Sequence, residues 1–369
     1  MIDNQTIKII MEKMPKVLTG WVITRVGMID RYRYLVIAQW DNDDNKNPFT
    51  AKDGKKYDHP TAMIAIDLTS TRIRRMISYN GYSHGYCDGG IINGNKEAFF
   101  SSYNGVTYHL DYGADKFVHE ELLMTKARRE KGISRGAESI KLIGNHFYMA
   151  DSGNEIHRRD ASKKWTLMSK EPVEYWKKFG GGDVASLDAF NEEEIYFSGN
   201  DGNLWVMLKK EWHKIRTKKN WNIANVVCGD DGKVYAVDSR GRVAIGRGTK
   251  FELFDLPKGE DPMPYIWETC VFQGKLYGGG TGGPLYVFEN KVWKHANLPL
   301  IGSVEYMVAK DGVMFIAGAW TLKIYNGKET HELYGGEKEL NELLLKGFMS
   351  SSKELLDSAG KLLDGMKKS

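Results

Sequence analysis

Cysteine is scarce in this sequence: three in 369 residues, far apart at Cys87, Cys228 and Cys270. An odd number with no close pair excludes a disulfide framework and a Cys-x-x-Cys redox or zinc motif, and leaves reduced core thiols as the reading. Long apolar runs are missing too. Nowhere do about 18 apolar residues follow one another, so no membrane-spanning helix is predicted. The first residues, MIDNQTIKIIMEKMPKVL, lack a basic head before an unbroken apolar core, because Glu12, Lys13 and Pro15 interrupt the one apolar run. No secretion signal is predicted, the sequon at Asn4-Gln5-Thr6 is therefore idle, and the expected location is cytoplasmic. Neither charge sign is in excess: 52 Lys and Arg against 48 Asp and Glu leave +4, which gives no bias toward nucleic acid.

Catalytic and ligand motifs are equally thin. The nine histidines form no H-E-x-x-H and no close pair with metal-ligand spacing. No nucleophile elbow marks a serine triad. Gly278 to Gly283 satisfies G-x-G-x-x-G as a string, but it falls in a run of strands rather than between a strand and a helix, so it is not a dinucleotide motif. Asp41-Asn42-Asp43-Asp44-Asn45 starts like a calcium loop and fails at its sixth and twelfth positions, which are Lys46 and Lys52. No cofactor and no metal are predicted.

What the chain does have is glycine, aromatics and a repeat. Its 40 glycines and 12% aromatic content suit turns and packed sheets. The stretch Gly182 to Ile215 parses into strands at Ala185–Phe190, Ile195–Gly199, Leu204–Leu208 and Trp212–Ile215, with Asn200-Asp201-Gly202 as the central tight turn. From Tyr196, Gly202 lies six residues on, Leu204 eight and Trp212 sixteen; Tyr235, Gly241, Val243 and Phe251 repeat the offsets, and so do Tyr277, Gly283, Leu285 and Trp293. Offsets loosened by one or two add Phe315, Leu322 and His331 downstream, then Tyr148, Ile156 and Trp165, and Phe99, Gly105, Thr107 and Phe117 upstream. Strands at Trp21–Val26, Tyr32–Trp40, Met63–Asp67 and Arg72–Ile77 make a seventh unit, with an insertion at 41–60 between its second and third strands.

A period of about 40 residues carrying four strands predicts an all-β, seven-bladed β-propeller of four-stranded antiparallel blades. The pattern IYFSGNDGNLWV…EWHKI, echoed by VYAVDSRGRVAI…KFELF and LYGGGTGGPLYV…VWKHA, resembles the WD-like and BNR-like propeller repeats of bacterial proteins. The expected organisation is a helical segment at 1–17, the propeller at 18–334 and a helical tail at 335–369. The first segment reads as an amphipathic helix through Ile7, Ile10, Met11 and Met14, stopped near Pro15. In the tail, Leu355, Ala359, Leu362 and Met366 form one apolar stripe behind a capping box at Ser351 to Glu354. Lys126 to Arg135 is a basic inter-blade connection without the interleaved aromatics that nucleic acid needs, and Glu171 to Gly182 is an aromatic one.

In propellers of this kind, the turns between second and third strands and the connections between blades emerge on one face. The resemblance therefore implies a face holding Tyr103, Arg240 and Trp320 from turns, and Tyr82, His84, Trp221, Tyr265 and Trp267 from connections. Aromatic residues and arginine are enriched at binding hot spots, although each ring has an alternative use in capping the end of a blade core. His84, beside Tyr82, Tyr86 and Asp88, is the histidine best placed for chemistry. The reading is a non-enzymatic, monomeric, protein-binding scaffold, in its concrete form a bacterial immunity or antitoxin partner that occludes a toxin. The alternative is an enzyme or a carbohydrate- or small-molecule-binding propeller that uses the central channel.

Overall fold

Residues 184–214 fall into short runs rich in β-forming side chains, the two central ones buried almost throughout, and each run ends at a turn residue. The computed structural model accordingly shows strands Val184–Asn191, Glu194–Gly199, Asn203–Leu208 and Glu211–Lys214, hydrogen-bonded in that order. Asp201 and Gly202 turn the middle pair with φ of 58° and 68°. A Cβ on Gly202 would stand 2.4 Å from the Lys218 carbonyl, so only glycine fits there. The structure describes residues 3–40, 60–78, 85–102, 106–121, 137–151, 155–160, 163–169, 184–218, 220–255, 266–280, 284–298 and 304–335.

Seven such four-stranded antiparallel sheets follow one another: blades 1 to 7 at residues 21–78, 85–121, 137–167, 184–214, 223–254, 268–295 and 306–335. The seven-bladed propeller read from the repeat is what the chain forms. Its register explains the spacing. Tyr196 pairs with Val206, Tyr235 with Ile245 and Tyr277 with Val287, ten residues apart each time. Phe315 pairs with Ile324, one residue closer, and for that reason blade 7 matches only when the offset is loosened. Blade cores fill with one face of each sheet packed on the next: Trp165 and Trp293 are buried between sheets, and Trp293 Nε1 donates to the Gly241 carbonyl at 2.7 Å. Trp212, at the equivalent repeat position, is half-buried; its Nε1 donates to the Met168 carbonyl at 2.7 Å while its ring meets Phe197 edge-on.

Among the described residues every blade is made of four consecutive strands, and no exchanged strand locks the last blade to the first. The seam is closed instead by one backbone hydrogen bond, Ile23 N to the Ala319 carbonyl at 2.8 Å, and by helix α1 (Asn4–Lys13) with the single turn α2 (Pro15–Leu18). Asp3 caps α1 by accepting from the amides of Gln5 and Thr6. Ile7, Ile10, Met14 and Leu18, spaced three and four residues apart, enter one hydrophobic core with Trp21, Ile23 and Tyr34 of blade 1 and Phe315, Leu322 and Leu333 of blade 7. One expectation is corrected here. Met11 is exposed rather than part of the stripe, and Leu18 of α2 joins Ile7, Ile10 and Met14 in the core instead. The first helix stops near Pro15 as expected, ending at Lys13, and Pro15 then opens α2, because proline at a first helical position forgoes an amide that has no partner anyway.

The insertion 41–59, the basic connection Lys126 to Arg135, the aromatic connection Glu171 to Gly182 and the tail from 336 onward lie outside the described residues.

Candidate functional site

The first strand of each blade faces the central axis with one edge unpaired, and unpaired backbone groups need partners. Short polar side chains on the neighbouring blade supply them. Leu142 N donates to Asp88 Oδ2 at 2.8 Å and Cys228 N to Asp188 Oδ2 at 2.9 Å. Leu187 N donates to Ser139 Oγ, Val226 N to Ser186 Oγ, and Thr269 Oγ1 to Asn225 Oδ1. Each clamp joins one blade to the next around the ring.

Inside is a cavity of about 700 Å³. Arg25 lies across it, its guanidinium between the rings of Tyr86 and Tyr306 at 4.2 and 4.7 Å and donating from Nη1 to Glu268 Oε2 at 2.9 Å. Glu268 Oε1 also accepts from Asn225. Lys310 Nζ reaches the Gly89 carbonyl at 2.8 Å, from blade 7 to blade 2. Burial pushes the carboxyls of Asp188 and Glu268 upward against the pull of Lys141 and, for Glu268, Arg25. Burial lowers the Lys141 ammonium less than Asp188, Asp88 and Glu268 raise it, so it stays protonated. The thiols of Cys87, Cys228 and Cys270 are all free, and burial drives each well above the ordinary thiol range. That removes the thiolate form a nucleophilic cysteine needs.

On the face with the turns between second and third strands, backbone hydrogen bonds string neighbouring segments together. Gly202 N donates to the Trp221 carbonyl, Ser239 N to that of Asn222, and Ile266 N to that of Ser239 at 3.1 Å. The last bond brings the Arg240 turn of blade 5 against Trp267 at the start of blade 6. Arg240 is exposed, and Trp267, at the rim of the cavity, is 51% exposed. Trp320 lies half-buried in the blade 7 turn, next to Ala319 at the seam.

Of the eight residues assigned to this face from sequence, those three stand at its surface. Trp221 does not: it is fully buried among Leu204, Ile215 and Ile223, with the Arg242 guanidinium 5.0 Å from its ring. It caps a blade core, the other use open to an aromatic residue in a connection. Tyr82, His84, Tyr103 and Tyr265 lie outside the described residues. Sequence reasoning missed the channel set, since Arg25 and Glu268 are 243 residues apart. It also missed a group in blade 3, Asp151, Glu155 and His157, whose ligand atoms all lie within 4.8 Å of one another. The Glu155-x-His157 spacing, with His157 in the strand Ile156–Arg159 and Glu155 just before it, was its available signal.

No family model matches this chain. Over 190 residues it is 25% identical to the immune protein Tsi7 of Pseudomonas aeruginosa, a match covering 49% of this chain and 57% of Tsi7. The chain thus spans less than two thirds of that relative's length. Among solved structures it resembles YCF48 bound to D1 peptide, with a TM-score of 0.55 and 13% identity over 81% of this chain and 91% of that one. The WD40 β-propeller domain of Doa1 gives 0.52 and 9%, over 86% and 94%. The structural likeness is one of fold. It places the chain with the WD40 and YCF48 propellers in architecture, while the Tsi7 match is a relationship to an immune protein.

Proposed function

We propose that this chain is an immunity-type propeller that binds and occludes a toxin protein through the face bearing Arg240, Trp267 and Trp320. The observation that carries the reading is the 190-residue similarity to an immune protein. The surface supports it. A half-exposed tryptophan beside an exposed arginine is the residue pair that dominates binding energy at interfaces when a partner desolvates it. The interior supports it as well: Arg25, Glu268 and Lys310 are engaged in bracing the ring, and the three thiols are held protonated. No helix among the described residues is long and apolar enough to cross a membrane. Free thiols fit a reducing compartment, and we place the chain in the bacterial cytoplasm as a monomer. Affinity capture with the tagged full chain from its host tests this. One stoichiometric protein partner is expected, and its absence under conditions where the toxin locus is expressed overturns the reading.

A further inference from the structure

Three charged side chains occupy one register position on consecutive blades, all in the wall of the channel. Leu142 N of blade 3 donates to Asp88 of blade 2, and Cys228 N of blade 5 donates to Asp188 of blade 4. Two residues earlier in the same ladders, Val226 N reaches Ser186 Oγ and Leu187 N reaches Ser139 Oγ. Two residues on from Ser139 is Lys141, which therefore stands on blade 3 where its neighbours have Asp88 and Asp188. A lysine cannot accept the amide two residues after Leu187, and Ala189 N donates instead to Asp188 Oδ1 at 3.0 Å. Asp188 thus takes one amide on each oxygen, from blades 4 and 5. The position does not require charge, for on blade 5 it is Val227, buried in the core shared with blade 6.

We propose that Asp88, Lys141 and Asp188 form a charge-keyed latch across blades 2 to 5, in which the single Lys141 ammonium holds both aspartate clamps closed. The serine clamps beside it need no counter-ion, whereas a carboxylate taken out of water is costly unless a cation stands by. Lys141 is that cation. Both aspartates hold its ammonium up, and its attraction works against the burial that pushes the Asp188 carboxyl upward. The other charged groups near the latch are already engaged: Glu268 pairs with Arg25 at 2.9 Å, and Lys310 donates to the Gly89 carbonyl. Glu138 and Glu305 act on Tyr86 and Tyr306, and burial keeps the Cys87 and Cys228 thiols protonated. The ring is then fastened by two different means. Helix α1 and the Arg25 pair hold the seam, and the latch holds blades 2 to 5. Discharging Lys141 loosens the second without touching the first.

The test uses the full chain alone, so it does not depend on a toxin partner, and compares Lys141→Met and the milder Lys141→Gln with wild type. A carboxyl raised by burial costs the fold when it ionises, and that cost grows as pH rises through the folded value. Without the lysine the cost is larger. Both variants should melt about 3 °C or more below wild type at pH 8, with the deficit at least halved at pH 5. Asp88→Asn, which keeps an acceptor for Leu142 N, should raise the melting temperature more in the Lys141→Met background than in wild type. Amide exchange of Lys141→Gln at pH 8 reads the clamps themselves. Leu142 and Cys228 should gain at least tenfold in rate relative to the serine-clamped Leu187 and Val226. An equal deficit at both pH values, an equal effect of Asp88→Asn in both backgrounds, or uniform exchange at all four amides overturns the proposal.

Discussion

Arg25 of the first blade donates to Glu268 of the sixth at 2.9 Å, an ion pair that reaches past the seventh blade while Tyr306 of that blade stacks on the guanidinium. Both side chains are about one-fifth exposed, so solvent weakens the pair without erasing it. Glu268→Gln should cost about 1–3 kcal/mol in a urea melt, and a double-mutant cycle with Arg25→Met should show a coupling of about 1 kcal/mol or more. Additive losses would mean that the pair does not brace the ring.

The helix over the seam gives a second expectation. Ile10 is fully buried between the first and last blades, whereas Met11 is exposed. Ile10→Ala should destabilise by about 2–5 kcal/mol, and Met11→Ala by no more than about 0.5 kcal/mol. Equal effects would detach the helix from the seam.

The fourth-strand tryptophans should differ in the same way. Trp293→Ala creates a cavity and orphans the Gly241 carbonyl, at a cost of about 3–5 kcal/mol. Trp212→Ala, at a half-buried position, should cost less; an inverted order in denaturant melts would contradict the packing described.

A pH dependence follows from Glu194. Arg247 donates to both of its oxygens, at 3.0 and 2.8 Å, and Tyr196 to one at 2.7 Å, which holds the carboxyl below its ordinary range. A depressed carboxyl stabilises the fold above its unfolded pKa of about 4.3 and loses that contribution as pH falls through the folded value. Wild type should therefore lose more stability than Glu194→Gln between about pH 5 and pH 3, the two curves converging at the acid end. Parallel curves would remove Glu194 from the account.

The architecture was legible because Tyr196, Tyr235 and Tyr277 occupy one register and the backbone repeats around them. Blade 1 was legible too, despite its insertion, since Arg33–Trp40 and Thr61–Asp67 are short, largely apolar runs of strand length. Orientation was not. A tryptophan in a connection points either into a core or out to solvent, and Trp221 and Trp267 look alike in sequence yet take opposite courses, Trp221 buried beneath the Arg242 guanidinium and Trp267 half-exposed. The channel was illegible for a related reason, since closure of the ring rather than local spacing brings Arg25 to Glu268.

The central claim rests on the face of Trp267, and one titration tests it most directly. With the captured partner in the calorimeter, Trp267→Ala should weaken binding by about 2 kcal/mol or more while the melting temperature stays at the wild-type value, and Arg240→Ala should weaken it in the same direction. Wild-type affinity in both variants would place the partner on another surface and contradict the account.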